Sequence, residues 1–389
     1  MTNFDLQFSK LICFSQLNLT SGDLLSINSE ESTYSFALDL AKFATKITNL
    51  PVTIVVTEEG KVTQSVPVEP DLLDIQKPQV KTQIMCRILD LDKFIYLSDE
   101  EPDSLNKSVI DISKFGLLSE PIDLKRRIAI PWTIVAYPSK KFVEHAFGVL
   151  SENEVLAYFA KLLRFDNENM IQYWVNQSCL LDYRIKELNS IKDKTVIFKN
   201  RTSKFQASII DGANWASNYI TLNNNRSFYN FLPSQNIHTN IEKDSFNGHI
   251  EASRDFILFG SLVRNATFNI RDGYVVSFNA EEGKEALNAF FNSDENARYV
   301  SAIVLNDEES IESKYINKGT HPLFSLEHTS SIILGGAMED SLRNFDEDTN
   351  LDNIKVNQSL VKLSIPVGDV FTSISIGELT VINEGSFII

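Results

Sequence analysis

Imidazole, carboxylate and thiolate side chains hold metals and move protons, and this sequence of 389 residues is sparing with two of the three. Its five histidines are His145, His238, His249, His321 and His328. Two of them, His321 and His328, could meet if Pro322-Leu323-Phe324 turns, and Glu327 stands beside the second. No third and fourth ligand follow at a recognisable spacing, so the cluster reads as surface residues rather than a metal centre. The three cysteines, Cys13, Cys86 and Cys179, lie far apart without a CxxC pair. An odd, scattered set favours buried free thiols over a disulfide framework or a thiolate site. Phosphate cradles, zincin helices and nucleophile elbows need spacings that the chain lacks, for it has no P-loop, no GxGxxG after a strand, no HExxH and no GxSxG.

The elements that would position any site fall into two halves. Phe4 to Ile12 has helical spacing, Asp23 to Ile27 reads as a strand, Tyr34 to Thr48 as an amphipathic helix, and Val52 to Val56 as a β-branched strand. After a polar connection from Pro67 to Pro78, Phe94 to Leu97 and Thr133 to Ala136 read as further strands. Ser151-Glu152-Asn153-Glu154 is a capping box that predicts a helix to about Arg164. Asp166 is the expected cap of a longer helix ending near Leu188. Alternating helices and strands of this kind predict an open α/β domain with a mostly parallel sheet over residues 1–190.

Residues 191–389 carry a different pattern, in which Thr195 to Phe198, Gln206 to Ile210, Tyr219 to Leu222, Phe256 to Val263, Tyr274 to Phe278 and three closing strands from Val361 predict a largely antiparallel sheet. Helices are expected at Glu281 to Phe291, within Asp294 to Asn306, and near Ser330 to Leu334. The second half is thus an α+β domain.

Composition limits the partners. Lys plus Arg is 36 against 52 Asp plus Glu, a formal charge of −16 that disfavours nucleic acid and anionic membrane. The densest basic run, Lys125-Arg126-Arg127, reads as a solvated face. The opening MTNFDLQFSK has no signal-peptide h-region, and no apolar run reaches membrane-spanning length, so a cytoplasmic protein is expected.

Six stretches, in order and spacing, carry a family resemblance: FSKLICFSQLNLTSGDLLSI, PWTIVAYPSKKFVEHAF, PSQNIHTNIEKDSFNG, DGYVVSFNAEEGKEALNAFF, DENARYVSAIVLN and HPLFSLEHTSSIILGGAM. Together they resemble the M29 metallo-aminopeptidases over nearly the whole chain. The resemblance implies an α/β plus α+β fold and a C-terminal site where two divalent metals are held by two glutamates, two histidines and an aspartate. A tyrosine nearby would stabilise the oxyanion, and the metals would make a water nucleophilic.

Carried across residue by residue, the resemblance finds none of these ligands. Asn236 stands for one glutamate and Ala302, in the pair Ser301-Ala302, for the other. Ser331 stands for a histidine and Met338 for the tyrosine, while Lys362-Leu363-Ser364 replaces a His-x-Asp. The reading expected is a catalytically inactive homologue with no metal, no cofactor and no catalytic residue, in which Asn236, Ala302, Ser331, Met338, Lys362 and Ser364 line a cavity that binds peptide or a protein partner. Lys362 would fill the vacated cation position. The family resemblance further implies a homodimer, or a heterodimer with an active paralogue.

Two active readings stand beside it. Lys362 and Ser364 share one face of a strand, where a lysine can serve a serine nucleophile. Alternatively an aminopeptidase with displaced ligands recruits His238, Glu242, Asp244 or Glu327 and releases N-terminal residues from peptides.

Overall fold

The computed structural model describes residues 1–58, 61–70, 78–90, 130–138, 152–259, 261–310, 328–346 and 348–389. The expected strand at Phe94 to Leu97, the run Lys125-Arg126-Arg127, His145, Ser151 of the expected capping box, His321 and Glu327 lie outside the described residues.

Local chemistry starts the chain. The Thr2 hydroxyl accepts from the Asp5 N–H while the Asp5 carboxylate accepts from the Thr2 N–H, each at 3.1 Å, which satisfies two orphan donors of α1 (Asn3–Lys10). The helix widens into a π turn at Leu11–Gln16. Helix α2 (Tyr34–Thr48) stops where Asn49 turns left-handed at φ 56°. Strands β1 (Asp23–Glu30), β2 (Val52–Glu58), β3 (Lys61–Val68), β4 (Thr82–Asp90) and β5 (Trp132–Tyr137) form one sheet in the order β3-β2-β1-β4-β5. All its neighbours are parallel except the β2–β3 pair. Strands β3 and β4 had no counterpart in the sequence reading. Helices α3 (Glu152–Leu162) and α4 (Met170–Ser190) follow. Asp166 is not the cap of α4, which begins four residues later, after a turn in which the Asn167 side-chain oxygen accepts the Asn169 N–H at 2.9 Å.

The described residues divide into two units. The first takes 1–90, 130–180 and 218–233, and the second 181–217 and 234–389. Its returning segment gives the first unit a hairpin of β9 (Tyr219–Thr221) and β10 (Ser227–Tyr229). Arg226 ties that segment down. Its two terminal nitrogens meet the two Asp23 oxygens at 2.7 and 2.8 Å, and one of them also donates to the Leu17 and Asn18 carbonyls. Asp23 is 1% exposed, so its charge is compensated almost entirely by this fork and by the Thr20 N–H at 2.7 Å.

In the second unit, β6 (Thr195–Lys199), β7 (Lys204–Ser208), β12 (Asn247–Glu251), β15 (Thr267–Arg271), β16 (Tyr274–Asn279), β20 (Ser373–Ile376), β21 (Leu379–Asn383) and β22 (Ser386–Phe387) form an eight-stranded sheet in the order β16-β15-β12-β7-β6-β20-β21-β22. A second sheet of β8 (Ala216–Ser217), β11 (Ile237–Asn240), β17 (Val300–Leu305), β18 (Ser331–Gly335) and β19 (Lys362–Pro366) runs in the order β19-β18-β17-β11-β8, and all its pairs are antiparallel. Strands β13 (Phe256–Leu258) and β14 (Ser261–Val263) form a hairpin where the sequence suggested one strand, and α5 (Lys284–Ser293) is the expected helix.

Two expected helices are strands instead. Val300 to Leu305 and Ser331 to Gly335 are buried at every position. A segment covered on both faces shows a continuous apolar run, and periodicity alone cannot tell such a run from a buried helix. Among the described residues no helix is long and apolar enough to cross a membrane.

Replacing Arg226 by leucine strands the buried Asp23 carboxylate. We expect a loss of about 3–5 kcal/mol in urea denaturation, with hydrogen-exchange protection lost first at Tyr219 to Tyr229.

Candidate functional site

Four adjacent strands bring the singled-out positions together. In β11, β17, β18 and β19, His238 pairs with Val304, Val304 with Ser331 and Ser331 with Pro366. The neighbouring row on the same face runs Asn240, Ala302, Ile333, Ser364, and Lys362 faces Gly335. Gly335 has φ +90°, and a Cβ there would strike the Val361 carbonyl, so glycine is required where the chain leaves β18. Beyond it, Met338 packs on Ala302, Val304 and Ile333, and its sulfur lies 4.0 Å from Lys362 Nζ. Asn236, just before β11, places its side-chain oxygen 3.3 Å from His238 Nδ1 while its nitrogen donates to Ser234 Oγ at 2.7 Å.

Asn240 fixes the loop that carries Met338. Its amide nitrogen donates to the Met338 carbonyl and to Ser341 Oγ, at 2.7 and 2.6 Å, and its oxygen accepts the Met338 N–H at 2.8 Å. The loop brings Asp340 and Arg343, 3.5 Å apart, into the electrostatic surroundings of His238. Sequence reasoning missed both, because nothing in their spacing points back to β11.

His238 is 3% exposed, and burial lowers its imidazole to about 4. Asp340 opposes that shift, whereas Lys362 and Arg343 add to it. The ring is therefore neutral at pH 7, and Nε2 is buried with no hydrogen-bond partner among the described residues. With Nδ1 facing the Asn236 oxygen, the neutral tautomer presents Nε2 as an acceptor.

These side chains do not fit a pair of divalent cations. An amide, a methyl, two hydroxyls, a thioether and an ammonium bring no anionic donor to offset roughly four positive charges in a buried setting. Among the described residues no three His, Cys, Asp or Glu side chains are grouped so as to hold a metal. Two of the recruits considered for a displaced site are engaged elsewhere: Glu242 and Asp244 bind Lys355 at 3.0 and 3.2 Å. A Ser–Lys pair is not formed either. Ser364 and Lys362 share a face without a hydrogen bond between them, and the Ser331 hydroxyl is spent on the Thr329 carbonyl at 2.8 Å.

A second polar cluster lies at the other end of β17 and β18. Glu308, 4% exposed, accepts the Ser330 N–H at 2.6 Å and stands 3.7 Å from Arg254. Burial raises its carboxyl to about 7 against the lowering effects of Ser330 and Arg254. His328, expected at the surface, is buried, and burial followed by the Arg254 charge lowers it to about 3. Of the thiols, Cys13 and Cys86 are buried as expected but Cys179, on α4, is exposed.

A parallel-sheet α/β unit is joined to a unit of antiparallel sheets, with the candidate positions on or beside the sheet of β8, β11, β17, β18 and β19. The chain belongs to the M29 family: the family model described as thermophilic metalloprotease (M29) matches residues 6–379. Aminopeptidase 2 of Geobacillus stearothermophilus is 25% identical over 61% of this chain, and aminopeptidase T of Thermus thermophilus 24% identical over 61%. Each of these matches spans 59% of the relative's own length. The solved structure of wild-type aminopeptidase T (AmpT) from Thermus thermophilus superposes with a TM-score of 0.78 at 16% identity, covering 99% of both chains. A 2,5-dihydroxypyridine dioxygenase from Pseudomonas putida shares the fold more loosely, with a TM-score of 0.53 at 11% identity and 99% of this chain covered. The scaffold is thus not tied to one chemistry.

Stability should turn over with pH, for opposite reasons on the two sides. His238 and His328, lowered on folding, contribute stability that is present above their ordinary value of 6.5 and lost as pH falls toward 4 and 3. Glu308, raised on folding, contributes stability that is full below 4.5 and lost as pH rises through 7. Urea midpoints measured from acid to mildly alkaline pH should show the acid limb flattened in His238→Gln, by on the order of 3 kcal/mol, and the alkaline limb flattened in Glu308→Gln.

Proposed function

We propose that this M29 chain binds a peptide or a protein partner without hydrolysing it. The observation that carries the reading is the row of β11, β17, β18 and β19, where Ala302 and Met338 fill space with apolar groups and Lys362 places an ammonium beside them. A fixed cation repels a divalent ion and takes its electrostatic role. The chain would then keep the scaffold and its pairing, as a cytoplasmic homodimer or as a heterodimer with an active paralogue.

The relatives' names favour a second reading, an active metal-dependent aminopeptidase with displaced ligands. Such an enzyme would draw ligands from beyond the described residues, Glu327 among them.

Purified protein, analysed for metal and assayed on aminoacyl chromogenic substrates with cobalt, zinc or manganese, separates the two. We expect no turnover that a chelator abolishes; chelator-sensitive turnover would establish the enzyme and end the binding reading. The combined variant Asn236→Glu, Ala302→Glu, Ser331→His, Lys362→His and Ser364→Asp is expected to take up zinc in calorimetry where the parent takes up none. Failure of the folded variant to bind zinc would count against the assignment of these positions.

A further inference from the structure

The outer face of the eight-stranded sheet runs against the charge of the whole chain. Lys199 of β6 stands directly opposite Lys204 of β7, which stands opposite His249 of β12. Arg271 lies two residues beyond Asn269, the partner of His249 on β15. All four ionisable side chains are exposed. Across β20, β6, β7, β12 and β15 the outward positions hold one carboxylate, Glu251, half-buried at the end of β12. Among the described residues Lys199, Lys204 and Arg271 have no ion-pair partner.

Fold stability does not explain this array. Like charges directly opposite on neighbouring strands are destabilising, and exposed lysines add no packing to compensate. Lysine often guards an edge strand against pairing with other chains. These strands are at the centre of the sheet order, with β16 and β22 at the edges, so that role is excluded. In a chain of net charge −16, a flat cationic field attracts what the rest of the surface repels.

We propose that this face docks an acidic segment of a partner protein. Neighbouring strands present their side chains about 4.8 Å apart, and lysine stems can reach the carboxylates of an extended peptide laid across them. The same face lacks what other polyanions use. At the outward positions of β6, β7, β12 and β15 it offers no Phe, Tyr or Trp on which bases could stack and one large apolar group, Ile197, for a bilayer, while the neighbouring β16 adds Tyr274, opposite Arg271, and the exposed Val276. The proposal is independent of the reading of the β17–β19 site.

The test is fluorescence anisotropy of a labelled oligoglutamate peptide with the full chain. Binding should weaken about tenfold between roughly 50 and 300 mM sodium chloride. The variant Lys199→Ser/Lys204→Ser/Arg271→Ser should weaken it at least about tenfold at the lower salt, with an unchanged melting temperature. Lys355→Ser, which removes a cation already paired with Glu242 and Asp244, should leave affinity unchanged. If the triple variant fails to fold, Lys199→Thr/Arg271→Thr serves the same comparison. No binding by the parent, equal binding by the folded variant, or tighter binding of single-stranded DNA or phosphatidylserine vesicles through the same residues would overturn the proposal.

Discussion

Strands β11, β17, β18 and β19 keep one register from Ala302 to Val304, past a bulge between Val300 and Ala302, and the character of the candidate site depends on it. Side chains alternate between faces with a period of two, so a slip of one residue in β17 would send Ala302 and Val304 to the opposite face and bring Ser301 and Ile303 round in their place. The register is held from both sides. Ser301 Oγ donates to the Gly336 carbonyl at 2.9 Å, and the Asn240 side chain makes three hydrogen bonds to the loop at Met338 and Ser341. Positions more than one hundred residues apart in sequence thereby share one buried surface.

That surface is polar at one margin and apolar at its centre. Ala302, Val304, Ile333 and Met338 pack together, while His238, Asn236, Lys362, Asp340 and Arg343 gather around them. The neutral imidazole has the Asp340 carboxylate as well as the Lys362 ammonium and the Arg343 guanidinium in its electrostatic surroundings. The resemblance implies anionic ligands at positions where, on the assignment proposed above, this chain supplies an amide, hydroxyls and a methyl. Membership of the family and possession of its chemistry are separate properties, and the second is decided by a handful of side chains.

Much of the fold was legible in the sequence because it is local. Helix α2 begins and ends where its apolar stripe does, β2 and β5 show β-branched runs, and β1 is a short stretch around Leu24, Leu25 and Ile27. Strands β17 and β18 were not legible: each is apolar on both faces, and the choice between helix and strand is made by neighbours distant in sequence. The six candidate positions rest on the resemblance, and their contacts were not legible in the sequence. Asp340 and Arg343 reach His238 only through the Asn240 clamp, and no spacing rule encodes a clamp. Cys179 was misplaced for a simpler reason. A thiol on a long helix with mixed faces gives no sign of which way it points.

The fork between Arg226 and Asp23 joins residues 203 positions apart. A ribosome releases the acid long before its counter-charge, so during synthesis the nascent first unit holds an unmatched carboxylate that must stay hydrated. Its interior can close over that group only after the guanidinium has left the exit tunnel, by which time much of the second unit's chain is still unmade. The order of translation thus sets a late completion step for the half of the molecule that is made first.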